Sequence, residues 1–226
     1  MPPTRATRSI ALSLPLLALA ATACTTSPEA AMARTQAPAL CAVPSPLPPR
    51  PDLQPALHDR LAHSETARIA VPWSGFGAWF VGMPLERLLP GTADIPAVVA
   101  TRDLTAAPFP EPGSRRLVCL ADGGSAIEEV LRHEPGRLLS YVVWGYTSAV
   151  AQPLGYGIGE FRFTEEGYAT RLDWTYAFRL KPDRFPGNLG ALGRGLFRLA
   201  FLDTRYARFM RSGMAAIERE ALAARP

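Results

Sequence analysis

The clearest alternation in the chain falls on residues 169–180, where Leu172, Trp174, Tyr176 and Phe178 hold one parity and Arg171, Asp173, Thr175 and Arg179 the other. Successive side chains of a strand point to opposite faces, so the segment predicts a strand with one face buried and one wet. Further strands are predicted at 97–104, 115–120, 125–133, 138–146 and 157–164, with a shorter first one at 67–71 ending at Pro72. Turn residues separate several of them, at Pro112-Gly113, Asp122-Gly123-Gly124, Pro135-Gly136 and Glu166-Gly167. Elsewhere the period lengthens. Over 73–89 the apolar residues recur near helical spacing but Gly82 and Pro84 interrupt them, so two short helices are expected, after a short helical lead-in at 57–63. Beyond Pro186-Gly187, the residues Leu189, Leu192, Leu196, Leu199, Tyr206, Met210, Met214 and Ile217 recur at helical spacing and predict the apolar face of one long amphipathic helix. A single curved antiparallel sheet with that helix in its concavity would bury both apolar faces at once. The predicted class is α+β, with about seven strands in the order β-α-α-β6-α.

The first 56 residues follow neither period. Arg5 and Arg8 precede an apolar stretch at 10–20, then come Ala21-Thr22-Ala23 and Cys24, the layout of an export signal and too short for a stable membrane span. From 24 to 56 the composition turns to Pro, Ala, Ser and Thr, which favours extended backbone and reads as a semi-stiff tether. The expected organisation is thus a signal over 1–23, a tether over 24–56 and one folded domain over 57–226. The 226 residues are 48% hydrophobic, enough for one core and little more. The net charge of +4 includes Arg5 and Arg8, and removing 1–23 leaves +2, which is no footprint for nucleic acid. Three cysteines make no disulfide framework. Cys41 and Cys119 would be free to pair in an oxidising compartment, but Cys119 is expected to be a small buried hydrophobe, and no disulfide is assigned.

Two resemblances add to this reading. Cys24 directly after small residues resembles the bacterial lipoprotein signal, which implies acylation of Cys24 and attachment to the membrane through the N-terminus. By the same resemblance, Thr26 in place of an aspartate implies an exported protein on the outer membrane, facing the periplasm. In the body of the chain, Ile95-Pro96-Ala97-Val98-Val99-Ala100-Thr101, Pro112-Gly113-Ser114-Arg115-Arg116, Leu120-Ala121-Asp122-Gly123 and Glu128-Glu129-Val130 look like successive strand and turn segments of bacterial members of the START and polyketide-cyclase superfamily. Arg137-Leu138-Leu139-Ser140-Tyr141 continues the series, and the run from Thr170 to Phe178 resembles the final-strand signature. The resemblance covers about residues 67–218. It implies a helix-grip fold with a hydrophobic cavity between sheet and helix, used by different members for lipids, sterols or polyketides, some of them enzymes.

The expected cavity wall is Tyr141, Phe161, Phe163, Leu172, Trp174, Tyr176 and Phe178, with plain core packing as the alternative for each. Aromatics with a polar tip suit an apolar pocket that needs a few hydrogen-bonding groups. Glu128 and Glu129 are neighbours on a predicted strand, so the pleat sends them to opposite faces and they cannot act as an acid/base pair on one substrate. Glu129 is taken as the ligand-facing candidate, although the sequence leaves open which of the two turns inward. The other is expected to be solvated. An inward carboxylate has its charged form disfavoured and, with a tyrosine such as Tyr141, would suit proton transfer in a cyclase-like reaction; pairing with Arg116 or Arg162 is the structural alternative. His58, His63 and His133 are scattered, and no metal-ligand spacing or nucleophile elbow occurs. Gly155, Gly157 and Gly159 are read as a flexible cavity-rim loop, or else as a strand with small residues. The function expected is binding of a hydrophobic small molecule or lipid without metal or cofactor. The alternatives are a cyclase/dehydratase-like enzyme and a structural envelope lipoprotein with a filled core.

Overall fold

The computed structural model describes residues 41–53 and 61–224; the expected signal, Cys24 and most of the helical lead-in lie outside the described residues. Strands β1 (Leu61–Ile69), β2 (Val98–Asp103), β3 (Arg115–Leu120), β4 (Ser125–Glu134), β5 (Leu138–Trp144), β6 (Leu154–Glu166) and β7 (Ala169–Leu180) form one curved antiparallel sheet in the order β1-β7-β6-β5-β4-β3-β2. Helices α1 (Trp73–Gly82) and α2 (Leu85–Leu88) separate β1 from β2, broken at Met83-Pro84 as the sequence suggests. The chain ends in α3 (Gly190–Phe197), a π-helical stretch (Arg198–Tyr206) and α4 (Ala207–Ala223).

β1 begins at Leu61, where the sequence suggested the end of a helical lead-in, and pairs with β7 from Leu61↔Phe178 to Ile69↔Thr170. Its parity was hidden because two residues of its helix-facing row are polar. His63 meets Asp203 of the π-helical stretch at 3.3 Å, and Arg211 of α4 donates to Glu65 at 2.8 Å. These contacts fasten the long helix to the edge of the sheet.

The long helix differs from expectation over its first turns. Tyr206, Met210, Met214 and Ile217 are buried, but Leu189, Leu192, Leu196 and Leu199 are 42%, 68%, 42% and 71% exposed. The π-helical stretch is the reason. A turn closed by i→i+5 hydrogen bonds shifts the helical phase, so one 3–4 spacing cannot keep the same face on both sides of it. The inward row runs through Gly193, Phe197, Leu202 and Tyr206, with a five-residue step across the wide turn.

The outer face of the sheet carries a second apolar cluster, Leu117, Cys119, Ile127, Val142, Trp144 and Tyr156, against which Cys41, Val43 and Leu53 pack. Residues 41–53, from the Pro-rich run, are therefore laid on the sheet. Cys119 is buried as expected, and it forms a disulfide with Cys41, Cα–Cα 5.4 Å, a pairing the sequence left unassigned. Trp144 Nε1 donates to the Pro48 carbonyl at 3.2 Å, and Arg50 Nε to Glu129 at 2.7 Å. The sequence did not reveal this strap because its backbone makes no regular ladder and its prolines advertise only extended chain.

Candidate functional site

Between the sheet and the long helix lies a cavity of about 160 Å³. β5, β6 and β7 supply one wall through Tyr141, Phe161, Trp174, Tyr176 and Phe178; the helix supplies Phe201, Tyr206, Phe209 and Ile217; Phe80 and Leu88 close it from α1 and α2. The lining is almost wholly apolar. A void of ~150 Å³ lined by aliphatic and aromatic groups stays dry and admits one benzene-sized ring, whereas drug-sized sites measure ~300–1,000 Å³. The space as it stands fits a single ring or a short chain segment.

Of the residues singled out from the sequence, Tyr141, Phe161, Trp174, Tyr176 and Phe178 line this cavity. Phe163 and Leu172 are buried on the same face but outside the lining, and Phe163 packs against Phe76 and Phe80. Glu129 is not in the cavity. The pairing Glu128↔Val143 and Glu129↔Val142 turns Glu128 inward with Val143 and Glu129 outward with Val142. Nor is Glu129 solvated: its carboxylate accepts from Arg50 at 2.7 Å and from Arg115 at 2.6 Å. Glu128 accepts from both Nε and an Nη of Arg116, at 2.8 and 2.6 Å, and the Arg116 guanidinium lies 3.9 Å over the Phe109 ring. Arg162 stays outside this pair, donating to Glu160.

Four tyrosines bring the remaining polar tips. Trp174 Nε1 donates to the Tyr141 hydroxyl at 3.2 Å, and since an indole N–H can only donate, the Tyr141 proton is left for another acceptor. The hydroxyls of Tyr146 and Tyr176 are 3.3 Å apart. Tyr206 stands beside Tyr176, with ring centroids 5.1 Å apart. Burial pushes the ionisation of all four phenols above the ordinary value of 10.0; for Tyr141 and Tyr146 the Glu128 charge adds to it. They are hydrogen-bonding phenols at neutral pH, not phenolate bases. Stability depends on pH accordingly: above about pH 10 the unfolded chain releases phenol protons that the folded chain retains, so stability falls as pH rises through that value. Ultraviolet difference absorbance during an alkaline titration is expected to show these four ionising only together with loss of near-ultraviolet circular dichroism. Their ionisation in a chain that stays folded would contradict the burial described.

Tyr146 escaped the sequence reading because Gly145, at φ +65°, ends the alternation of β5 and returns the next side chain to the inner side. Gly157 and Gly159 do not form a rim loop. They sit inside β6, and a Cβ at either would run into the ring of Tyr176 or Tyr141, respectively. Their bareness lets the two phenols fold across the strand, so the signal for the tyrosine site was the glycine pair itself.

A curved antiparallel sheet that grips a long terminal helix around an apolar cavity defines a helix-grip protein. The chain belongs to the family described as polyketide cyclase / dehydrase and lipid transport, which matches residues 91–221, more than half its length. Among solved structures it is similar to the di-domain ARO/CYC StfQ from the steffimycin biosynthetic pathway, with TM-score 0.54 and 14% identity over 74% of this chain and 52% of that one. It is also similar to a protein of Thermus thermophilus, with TM-score 0.52 and 18% identity over 74% of this chain and 100% of the other. Ginseng major latex-like protein 151 from Panax ginseng aligns with TM-score 0.51 and 14% identity over 72% of this chain and 98% of the other. At such identities these likenesses speak for the fold alone. No curated protein matches the chain.

Proposed function

We propose that the protein is an exported, envelope-attached carrier that holds a small apolar molecule or a segment of lipid beneath its long helix. The carrying observation is the cavity: dry in character, walled by aromatics, and tipped by neutral phenols that can orient one polar group of a guest. The family description, which includes lipid transport, supports the same reading. Export rests on the N-terminal layout and is supported by the Cys41–Cys119 disulfide, since such bonds persist in oxidising compartments. Acylation at Cys24 would attach the chain to the outer membrane facing the periplasm, with the Pro/Ala-rich stretch ahead of Cys41 as its spacer. The chemistry requires no cofactor.

A second reading, a cyclase/dehydratase-like enzyme, is favoured by one observation: Glu128 and Tyr141 share a cavity wall. Against it, Glu128 is already engaged by Arg116, and Tyr141 is better suited to donate a hydrogen bond than to take up a proton. Ala126 also lines the cavity, and leucine there would fill the space without adding charge. For the carrier, toluene titrated into the full chain is expected to bind, read by isothermal titration calorimetry. Ala126→Leu should weaken its binding at least tenfold, ~1.4 kcal/mol, with an unchanged unfolding midpoint. Equal binding by both proteins would remove the cavity from the reading, and no uptake by the wild type would favour the structural lipoprotein with a filled core.

A further inference from the structure

Two hydrogen-bonding groups on the cavity wall stand near each other without bonding to each other. Glu128 of β4 lies opposite Val143, and Tyr141 of β5 lies opposite Val130, so the two side chains are diagonal neighbours on the inward face. Such positions are about 7–8 Å apart, within reach of long and aromatic side chains. Both residues line the cavity, and the Glu128 charge bears on the Tyr141 phenol, which sets the carboxylate at the hydroxyl end of the space. Arg116 donates twice to one carboxylate oxygen, Oε1. Among the described residues the other oxygen, Oε2, has no hydrogen-bond donor. Nor is it walled in, because the fully enclosed side-chain polar atoms without a partner are Ser114 Oγ and Tyr156 Oη. The Tyr141 hydroxyl accepts from Trp174 and keeps its own proton, whereas Tyr146 and Tyr176 already pair through their hydroxyls.

We infer that Glu128 Oε2 and the Tyr141 hydroxyl form a clamp for one neutral hydroxyl group on a one-ring or short-chain guest. The guest hydroxyl donates to the carboxylate and accepts the Tyr141 proton, so a single oxygen completes both partners. A carbonyl would accept from Tyr141 but set a second acceptor against Oε2. A carboxylate would bring like charge to Glu128, whose own counter-ion Arg116 is already engaged, so acid head groups are turned away. The bond to the carboxylate is charge-assisted, and it offsets the hydration that a hydroxyl loses on entering an apolar space. Without such a clamp, a lining of this kind would prefer a hydrocarbon to the matching alcohol or phenol. This deepens the carrier reading and rests on it: it names the head group of the guest, and it gives Glu128 and Tyr141 binding roles in which no proton changes owner.

The test titrates the full chain, with the Cys41–Cys119 bond left oxidised, against four probes of similar size at neutral pH: toluene, phenol, benzaldehyde and benzoate. By calorimetry, phenol is expected to bind at least as tightly as toluene, although water solvates phenol better, and at least tenfold more tightly than benzaldehyde. Benzoate should not bind. In Tyr141→Phe the ratio of phenol to toluene affinity should fall at least tenfold. That variant also strips the acceptor from Trp174 Nε1, so Arg116→Met/Glu128→Leu, which leaves the Trp174–Tyr141 bond in place, serves as the second and should lower the ratio as much. Ala126→Leu should weaken phenol and toluene together. Phenol bound more weakly than toluene, benzaldehyde or benzoate matching phenol, or a ratio that neither clamp variant moves overturns the clamp. With toluene still bound, the carrier reading survives that result. Silence from all four probes removes the carrier reading and the clamp with it.

Discussion

Replacing Cys41 and Cys119 together by serine is expected to lower the unfolding free energy by about 2–5 kcal/mol, read as a fall in the urea midpoint at neutral pH. The bond joins positions 78 residues apart, and closing a loop of that size in the unfolded chain corresponds to ~4.5 kcal/mol in the chain-entropy description. A second loss is local. Residues 41–53 have no ladder of their own, and without the bond they are held by the packing of Val43 and Leu53, the Trp144–Pro48 hydrogen bond and the Arg50–Glu129 pair. Hydrogen exchange over 41–53 should therefore accelerate before the sheet changes, leaving Trp144 and Val142 less protected on the outer face. A reductant acting on the wild type should reproduce the effect. An unaltered midpoint and unaltered exchange in the double variant would show that the strap is held by packing alone.

The disulfide also illustrates where sequence reading runs out. The strands were legible because burial on one face writes a period of two: 115–120 and 169–180 were bounded to the residue, and β4 and β5 to within one or two. β1 was shortened because its inner row contains His63 and Glu65, whose partners Asp203 and Arg211 lie some 140 residues away. The leucines ahead of the π-helical stretch were placed inside because counting by three and four assumes a constant helical phase, and the wide turn breaks it. Phase slips of that kind leave no mark in composition. At the candidate site, the aromatic rows followed directly from alternation, but the choice between Glu128 and Glu129 did not. Both are apolar-strand neighbours with arginines one strand away, and only the absolute register of β4 against β5, fixed by Ile127↔Trp144 and its successors, decides which carboxylate enters the cavity.

Arg116→Met is expected to destabilise the domain by about 3–5 kcal/mol, because it leaves the Glu128 carboxylate buried without its counter-charge. The Glu128 side chain is 7% exposed and the Arg116 side chain 12%, so water can replace little of what the substitution removes. Arg115→Met provides the internal comparison. It also strips a guanidinium from a buried glutamate, but Glu129 keeps Arg50 at 2.7 Å, and both of its arginines are 39% exposed, so the loss there should be about 1 kcal/mol. The double variant Arg116→Met/Glu128→Leu should recover most of the loss, since two apolar side chains of similar bulk replace the pair without an orphaned charge. Urea unfolding of the four proteins in that cycle measures the coupling; a double variant no better than Arg116→Met would mean that the pair's geometry, and not its charge, holds the wall together. The same double variant divides the two functional readings. A carrier that recognises its guest by shape and by neutral phenols should still take up toluene within a fewfold of the wild type, whereas an enzyme that moves a proton through Glu128 should bind and no longer turn over.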